Sequence, residues 1–130
     1  MLIDTHCHLN LPHFDEDREQ VLARAAAAGI ATVVVIGIDE AHNRSGIALA
    51  EQYPQVYATV GIHPNETAGF DAGRLAAVRT LAGQPKVVAI GEIGLDYYWR
   101  RVEPEVQKDA FRRQLDLAAD LGLPVVIHDR

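Results

Sequence analysis

Five short runs of apolar, mainly β-branched residues recur along the chain, and they predict five strands. Each run is nearly continuous rather than alternating, which is typical of strands buried on both faces of a parallel sheet. The predicted strands are residues 2–5, 31–38, 56–62, 86–90 and 123–127.

Four stretches with helical spacing of apolar residues separate these runs. They are residues 15–28, 39–53, 71–82 and 104–121, and glycines 29 and 122 follow the first and the last as helix stops. The strict alternation of strand and helix predicts an α/β fold with a parallel sheet and right-handed crossovers. No linker-like segment interrupts it, so residues 1–130 are expected to form a single domain.

Composition agrees with a folded domain and restricts its partners. Hydrophobic residues make up 48% of the chain and charged residues 23%, which excludes a disordered or low-complexity sequence. The net charge of −6 provides no broad basic surface, so a polyanion would have to be attracted locally, for instance by bound cations. The only cysteine, Cys7, cannot form an internal disulfide, and no secretory leader or membrane-length apolar run is visible. We therefore expect a cytoplasmic protein without a membrane partner.

Four of the predicted strands are followed by residues that can bind metals or transfer protons. In chain order these are His6 and His8, then His63, then Glu92 and Asp96, and finally His128. In parallel α/β sheets and barrels, the carboxyl ends of the strands form the ligand-binding edge. The coincidence of all four groups at one edge is a stronger signal than any single motif.

The sequence His6-Cys7-His8 is the first candidate metal site. Alternation along an extended segment places both imidazoles on one side, where they can converge on an ion. An isolated pair of this kind is more often two surface histidines, but Asp4 and the end of a predicted strand strengthen the metal interpretation. Cys7 should face the other way and pack in the interior.

Glu92, His128 and His63 are the other candidates at this edge. Glu92 shares the parity of the apolar residues before it, and a carboxylate that points inward needs a cation or hydrogen bonds. A solvated glutamate at a strand end, or a packed histidine in the case of His128, would give the same pattern. His63 is kept extended by Pro64 and could hydrogen-bond an oxyanion or act as an acid.

The segment 97–101 (Tyr-Tyr-Trp-Arg-Arg) combines aromatic rings with cations directly after the strand of Glu92. It can simply cap the rim of the fold, or it can stack bases and contact the phosphates of an oligonucleotide. We take Tyr97, Arg100 and Arg130 as candidate substrate-binding residues.

Four motifs together resemble the TatD family of metal-dependent deoxyribonucleases, a branch of the amidohydrolase-like barrels. They are Ile3-Asp4-Thr5-His6-Cys7-His8-Leu9, Gly61-Ile62-His63-Pro64, Gly91-Glu92-Ile93-Gly94-Leu95-Asp96-Tyr97 and Pro124-Val125-Val126-Ile127-His128-Asp129-Arg130. The resemblance covers the whole chain and corresponds to the N-terminal half of the family. It implies a TIM-barrel-like (β/α) fold, with about the first five strands and four helices present, because a closed barrel takes about 250 residues.

The resemblance also implies a pair of divalent metal ions, with Mg²⁺ as the expected ion and Zn²⁺ or Mn²⁺ as alternatives. His6, His8 and Glu92 would hold the first ion, and Glu92 would bridge to the second, which His128 also binds. The family takes one further histidine and one aspartate from its C-terminal half. Neither lies within the 130 residues, so the resemblance leaves open whether this chain alone is active.

The reaction implied is hydrolysis of phosphodiester bonds in DNA, on single strands or at 3′ ends. Glu92 would fix the ions, His63 would hydrogen-bond a phosphate oxygen, and Asp96 would orient the ligands. These three are the candidate catalytic residues.

Two other functions remain open on the sequence. One is a metal-dependent amide, lactone or ester hydrolase of the same superfamily, which shares the His-x-His start of residues 6–8. Segment 91–98 favours the nuclease, because the resemblance implies that several of these other hydrolases have a carbamylated lysine there instead. A non-catalytic half-barrel could bind metal weakly or assemble with another chain. Open edge strands predict self-association in either case.

Overall fold

A single parallel sheet of five strands organises the structure, a computed structural model that describes residues Met1–Arg130. The strands are β1 Leu2–Cys7, β2 Ile30–Val35, β3 Val56–Val60, β4 Val87–Leu95 and β5 Val125–Asp129. The helices are α1 Arg18–Ala27, α2 Glu40–Gln52, α3 Ala72–Ala82 and α4 Pro104–Leu121. Short 3₁₀ turns at Pro12–Phe14 and Pro64–Glu66 follow β1 and β3.

The strand order in the sheet is the order in the sequence, β1-β2-β3-β4-β5, and every neighbouring pair is parallel. Because each helix connects two adjacent parallel strands, all five carboxyl ends lie at the same edge. The predicted α/β class, with five strands and four helices in alternation, is confirmed.

Strand β4 is longer than predicted. The sequence pattern ends it at Ile90, whereas the structure continues it to Leu95, so Glu92 lies inside the strand rather than after it. The pairing with β5 shifts register between Ile90 and Ile93 and then resumes. Gly94 permits this close pairing because a Cβ there would collide with the carbonyl oxygen of His128.

Strands β2 and β3 end earlier than predicted. Beyond them, side chains supply part of the hydrogen bonding of the backbone. The Gly37 N–H donates to Thr59 Oγ1 at 3.1 Å, and the Gly61 N–H donates to Asn43 Oδ1 at 3.1 Å. Neighbouring backbone supplies the rest, as where the His63 N–H donates to the Ile38 carbonyl at 2.8 Å, so the backbone groups remain satisfied.

The hydrophobic core lies between the sheet and the helices. It comprises 18 buried residues, and each helix contributes to it, with Leu22, Ile47, Val78 and Leu117 from α1 to α4. Burial of one such side chain stabilises the fold by about 1.5–3 kcal/mol. None of the four helices combines the length and apolar character that a bilayer-crossing segment needs.

Candidate metal centre

Buried amide side chains hold the backbone where the strands end. On α2, Asn43 Nδ2 donates to the Gly61 carbonyl at 3.1 Å, and Asn43 Oδ1 accepts from the Gly61 N–H at 3.1 Å. On α4, Gln114 does the same with Ile62, accepting at 2.8 Å and donating at 3.1 Å. Each amide thus replaces an adjacent strand, and the pair fixes the backbone that leads into the next loop.

The end of β4 is held in the same way. Gln107 Oε1 accepts from the Asp96 N–H at 2.8 Å, and its Nε2 donates to the Asp96 carbonyl at 3.0 Å. Thr59 Oγ1 donates to the Gly91 carbonyl at 2.6 Å. The loops that carry the reactive side chains therefore rest on fully buried polar contacts, which restrict their positions.

The first group of candidate ligands is His6, His8 and Glu92. Their ligand atoms all lie within 4.8 Å of one another, and His6 Nε2 is 3.6 Å from Glu92 Oε2. The two imidazole rings are 5.4 Å apart between centroids. Cys7, between them, turns the other way as expected, with its Sγ 3.4 Å from the Val34 carbonyl.

The second group is His63, Glu92 and His128, whose ligand atoms also lie within 4.8 Å of one another. His128 Nδ1 is 3.0 Å from Glu92 Oε1 and 3.2 Å from His63 Nε2. Glu92 is 8% exposed and directs one carboxylate oxygen toward each group. The structure thus brings together the four predicted metal ligands and adds His63 to them.

Asp96 lies behind His128 and contacts its ring. Its Oδ2 is 3.0 Å from His128 Nε2 and accepts from Asn65 Nδ2 at 3.1 Å. Its Oδ1 accepts the backbone N–H groups of Tyr98 and Trp99, each at 3.1 Å. A carboxylate on the second nitrogen of an imidazole fixes the ring's orientation, which is the contact that the predicted orienting role requires.

Burial, neighbouring charges and hydrogen bonds shift the pKa values of His8, His63 and Asp96. Burial lowers the pKa of His8, and the nearby His6 lowers that pKa further. Burial also lowers the pKa of His63, with His128 as the next contribution. For Asp96, burial raises the pKa, but hydrogen bonds from backbone and side chains outweigh it and the pKa is lowered. Near neutral pH, His8 and His63 are therefore neutral and Asp96 is ionised, so both imidazoles have a lone pair for a cation.

An open pocket of about 270 Å³ gives access to both groups, with His8, His63 and Glu92 in its lining. Asn65 and Arg101 also line it; neither is among the predicted site residues, although Arg101 belongs to the predicted segment 97–101. Asn65 has a readable signal, since it follows the His63-Pro64 motif directly. For Arg101 the aromatic and cationic segment is a signal, but a loop has no periodicity that shows which of its two arginines faces the pocket.

Of the predicted substrate-binding residues, His63 lies in this pocket, and Tyr97, Arg100 and Arg130 lie elsewhere on the rim. Tyr97 and Arg100 line a separate pocket of about 410 Å³, next to Gln107. Arg100 has a positive φ of +50°, and the consecutive residues Arg100 and Arg101 line different pockets. Arg130 packs on the loop, with its Cζ 4.3 Å from the centre of the Tyr98 ring.

Parallel strands whose carboxyl ends carry grouped histidines and a carboxylate are the arrangement typical of metal-dependent hydrolase barrels. The chain belongs to the family of TatD-related DNases, whose family model matches residues 3–130. The family resemblance read from the four motifs is thereby confirmed.

Characterised and uncharacterised bacterial proteins are similar over the whole chain. Identity is 41% over 130 residues with the uncharacterized metal-dependent hydrolase YabD of Bacillus subtilis, covering 100% of this chain and 51% of that protein. It is 36% over 129 residues with the 3′-5′ ssDNA/RNA exonuclease TatD of Salmonella typhimurium, covering 99% and 50%. The chain spans about half the length of the curated relatives it matches.

Solved structures agree with this relationship. The TatD homologue YJJV of Escherichia coli K12 superposes with a TM-score of 0.91 at 37% identity, covering 99% of this chain and 51% of that one. A TatD-family hydrolase of Entamoeba histolytica gives 0.90 at 27% identity, with coverage of 99% and 50%. The five-stranded sheet is thus a curled half-barrel, as the predicted TIM-barrel-like fold requires.

Proposed function

We propose that this chain forms a divalent-metal centre for hydrolysis of phosphodiester bonds in nucleic acid, acting on single strands and 3′ ends of DNA. The observation that carries the proposal is Glu92, whose two carboxylate oxygens face two separate histidine pairs. The activity of the Salmonella relative, a 3′-5′ ssDNA/RNA exonuclease, supports the choice of substrate.

The residues present fit a pair of divalent ions. Four imidazoles and one carboxylate converge, and Glu92 is nearly buried with histidines as its only ionic contacts. A buried carboxylate without a cation is costly, so a bound ion accounts for its position. His6 and His8 with Glu92 would hold one ion, and His63 and His128 with Glu92 the other. His63, expected to hydrogen-bond a phosphate oxygen, is thus proposed as a ligand as well.

The remaining roles follow from contacts of the chain itself. Divalent ions bound there would supply Lewis acidity to a phosphate and lower the pKa of water. Asp96 keeps the His128 ring in one orientation through its 3.0 Å contact. Arg101 places a positive charge in the pocket, where it can pair with a non-bridging phosphate oxygen. His8 and His63 keep their imidazoles neutral, because burial lowers the pKa of each.

Mg²⁺ is the ion we propose, on the family relationship. The imidazole-rich ligand set also suits Zn²⁺ and Mn²⁺, so the ions should be compared directly. We further propose a cytoplasmic location, which the half-buried free thiol of Cys7 supports because free thiols persist in reducing compartments.

The test is cleavage of a single-stranded oligodeoxynucleotide labelled at its 5′ end, with Mg²⁺, Mn²⁺ or Zn²⁺ added after removal of metals. The proposal predicts metal-dependent shortening from the 3′ end, loss of it in Glu92→Gln, and wild-type behaviour in Glu51→Gln. Glu51 is the matched control because it is exposed on α2.

Three results would oppose the proposal. Turnover of small esters without DNA cleavage would identify the hydrolase alternative. Metal binding without turnover of either substrate would identify the non-catalytic half-barrel. Equal cleavage by Glu92→Gln and wild type would remove Glu92 from the site.

A further inference from the structure

Four side chains on the rim beside the candidate metal centre form a continuous aromatic and cationic surface. They are Tyr98, Trp99, Arg101 and Arg130, and we call them the stacking strip. Arg130 Cζ lies 4.3 Å from the Tyr98 ring centre and 5.6 Å from that of Trp99. Arg101 Cζ lies 5.6 Å from the Trp99 ring centre, and the two aromatic rings meet edge to face at 4.9 Å.

The rings of the strip are held in place but face solvent. Tyr98 is 63% exposed and Trp99 is 51% exposed, although rings of this size normally contribute to a core. Their backbone N–H groups are both bound by buried Asp96, so the loop has a fixed attachment. Fixed, exposed rings beside guanidinium groups are the arrangement that single-strand-binding proteins use for base stacking.

Two residues, Arg101 and Asp96, connect the strip to the candidate metal centre. Arg101 lines the same pocket as His8 and Glu92. Asp96, which holds the loop of the strip, also contacts His128. A strand bound along the strip would therefore enter the pocket at Arg101.

Charge distribution favours a polyanion on this surface. The chain as a whole carries a net charge of −6, yet Arg101 and Arg130 both lie against the Trp99 ring, each with its Cζ 5.6 Å from the ring centre. Neither Arg101 nor Arg130 forms an ion pair with a carboxylate of the chain. Both charges are available to phosphates.

We propose that the stacking strip binds the single-stranded nucleic acid next to the bond being cleaved. Bases would stack on Tyr98 and Trp99, and Arg101 would bind a backbone phosphate at the mouth of the pocket. Since every base has a π-face, this surface would bind without strong sequence preference. The inference rests on the proposed function for its substrate class.

Trp99 is the only tryptophan of the chain, so its fluorescence reports directly on the strip. Titration with an oligothymidylate of about ten nucleotides in EDTA measures binding without cleavage or metal–phosphate contacts. We expect saturable quenching. Tyr98→Ala should weaken binding about five-fold or more, and Arg101→Gln should reduce the slope of log K against log salt by about 0.7.

Two further variants separate stacking from loop structure. Measured by anisotropy of a labelled oligonucleotide, Trp99→Ala should weaken binding about five-fold or more, and Trp99→Phe should recover most of it. Arg112→Gln is the matched charge control, because Arg112 is exposed on α4 and unpaired; it should leave the affinity and the salt slope close to wild type.

The outcomes distinguish this inference from the proposed function. One outcome would overturn only the role of the stacking strip. It is metal-dependent cleavage of the oligonucleotide without quenching of Trp99 fluorescence, at wild-type rates in Tyr98→Ala and Trp99→Ala. Quenching that the variants weaken, without any cleavage, would support the strip and overturn the proposed function. If Arg112→Gln and Arg101→Gln lost the same oligonucleotide affinity, net charge alone would explain the binding, and the proposed role of the stacking strip would be wrong.

Discussion

Replacing Gln114 by leucine should destabilise the chain strongly, because its side-chain amide is the partner of a buried peptide group. Gln114 and Ile62 are both fully buried, and two hydrogen bonds of 2.8 and 3.1 Å join them. Leucine has a similar volume but leaves the Ile62 N–H and carbonyl without partners. Each orphaned group costs about 1–3 kcal/mol, so the loss should be about 2–6 kcal/mol. That is a large part of the 5–15 kcal/mol, roughly, by which domains are stable.

The assay is urea unfolding followed by circular dichroism. Gln20→Leu is the matched control, since Gln20 is exposed on α1 and makes no side-chain hydrogen bond; it should change the free energy of unfolding by less than about 0.5 kcal/mol. A Gln114→Leu variant equally close to wild type would refute the view that buried amides hold the strand ends.

Three further predictions concern stability and assembly. The hydrogen bond from Arg74 holds the pKa of Glu40 below its ordinary value of 4.5, so the pair stabilises the fold above that pH and the effect is lost as pH falls through the lowered pKa. Because Glu40 is 40% exposed, Glu40→Gln should cost less than about 1 kcal/mol at pH 7, and the cost in urea titrations should shrink as the pH falls below the ordinary value; a cost independent of pH would contradict the assignment. Gly37→Ala should cost about 1–3 kcal/mol in thermal unfolding, because its Cβ would meet Asn43 Oδ1 and the Thr59 carbonyl; an unchanged melting temperature would contradict that packing. The unpaired edges of β1 and β5 should make the 130-residue chain associate in sedimentation velocity, and a monomer at all concentrations would contradict this.

The sheet and the edge where the reactive groups meet were predictable from the sequence. Continuous apolar runs separated by helical stretches leave only a parallel order, and the parallel order brings His6, Glu92 and His128 to one edge. The position of Glu92 within β4 was not predictable, because it depends on a register shift against β5 that begins after Ile90. The position of Arg101 in the pocket was not predictable either, because a loop has no periodicity that assigns a direction to successive side chains.

The two buried glutamines of α4 could have been recognised from the sequence, because they interrupt the apolar face of the helix at a regular spacing. Gln107 and Gln114 are one heptad apart and share the inner face of the helix with Ala110 and Leu117. A polar side chain on an apolar stripe must find buried partners, and unpaired backbone at strand ends is what such a side chain can satisfy. That inference gives the contact but not the partner, which only the packing of α4 on the sheet decides.

The most direct test of the central claim is calorimetric titration of the metal-free chain with Mn²⁺. If Glu92 joins two groups of ligands, wild type and Glu51→Gln should bind a pair of ions per chain, and Glu92→Gln should lose affinity at both sites. Unchanged stoichiometry and affinity in Glu92→Gln, or no binding by the wild-type chain, would contradict the account.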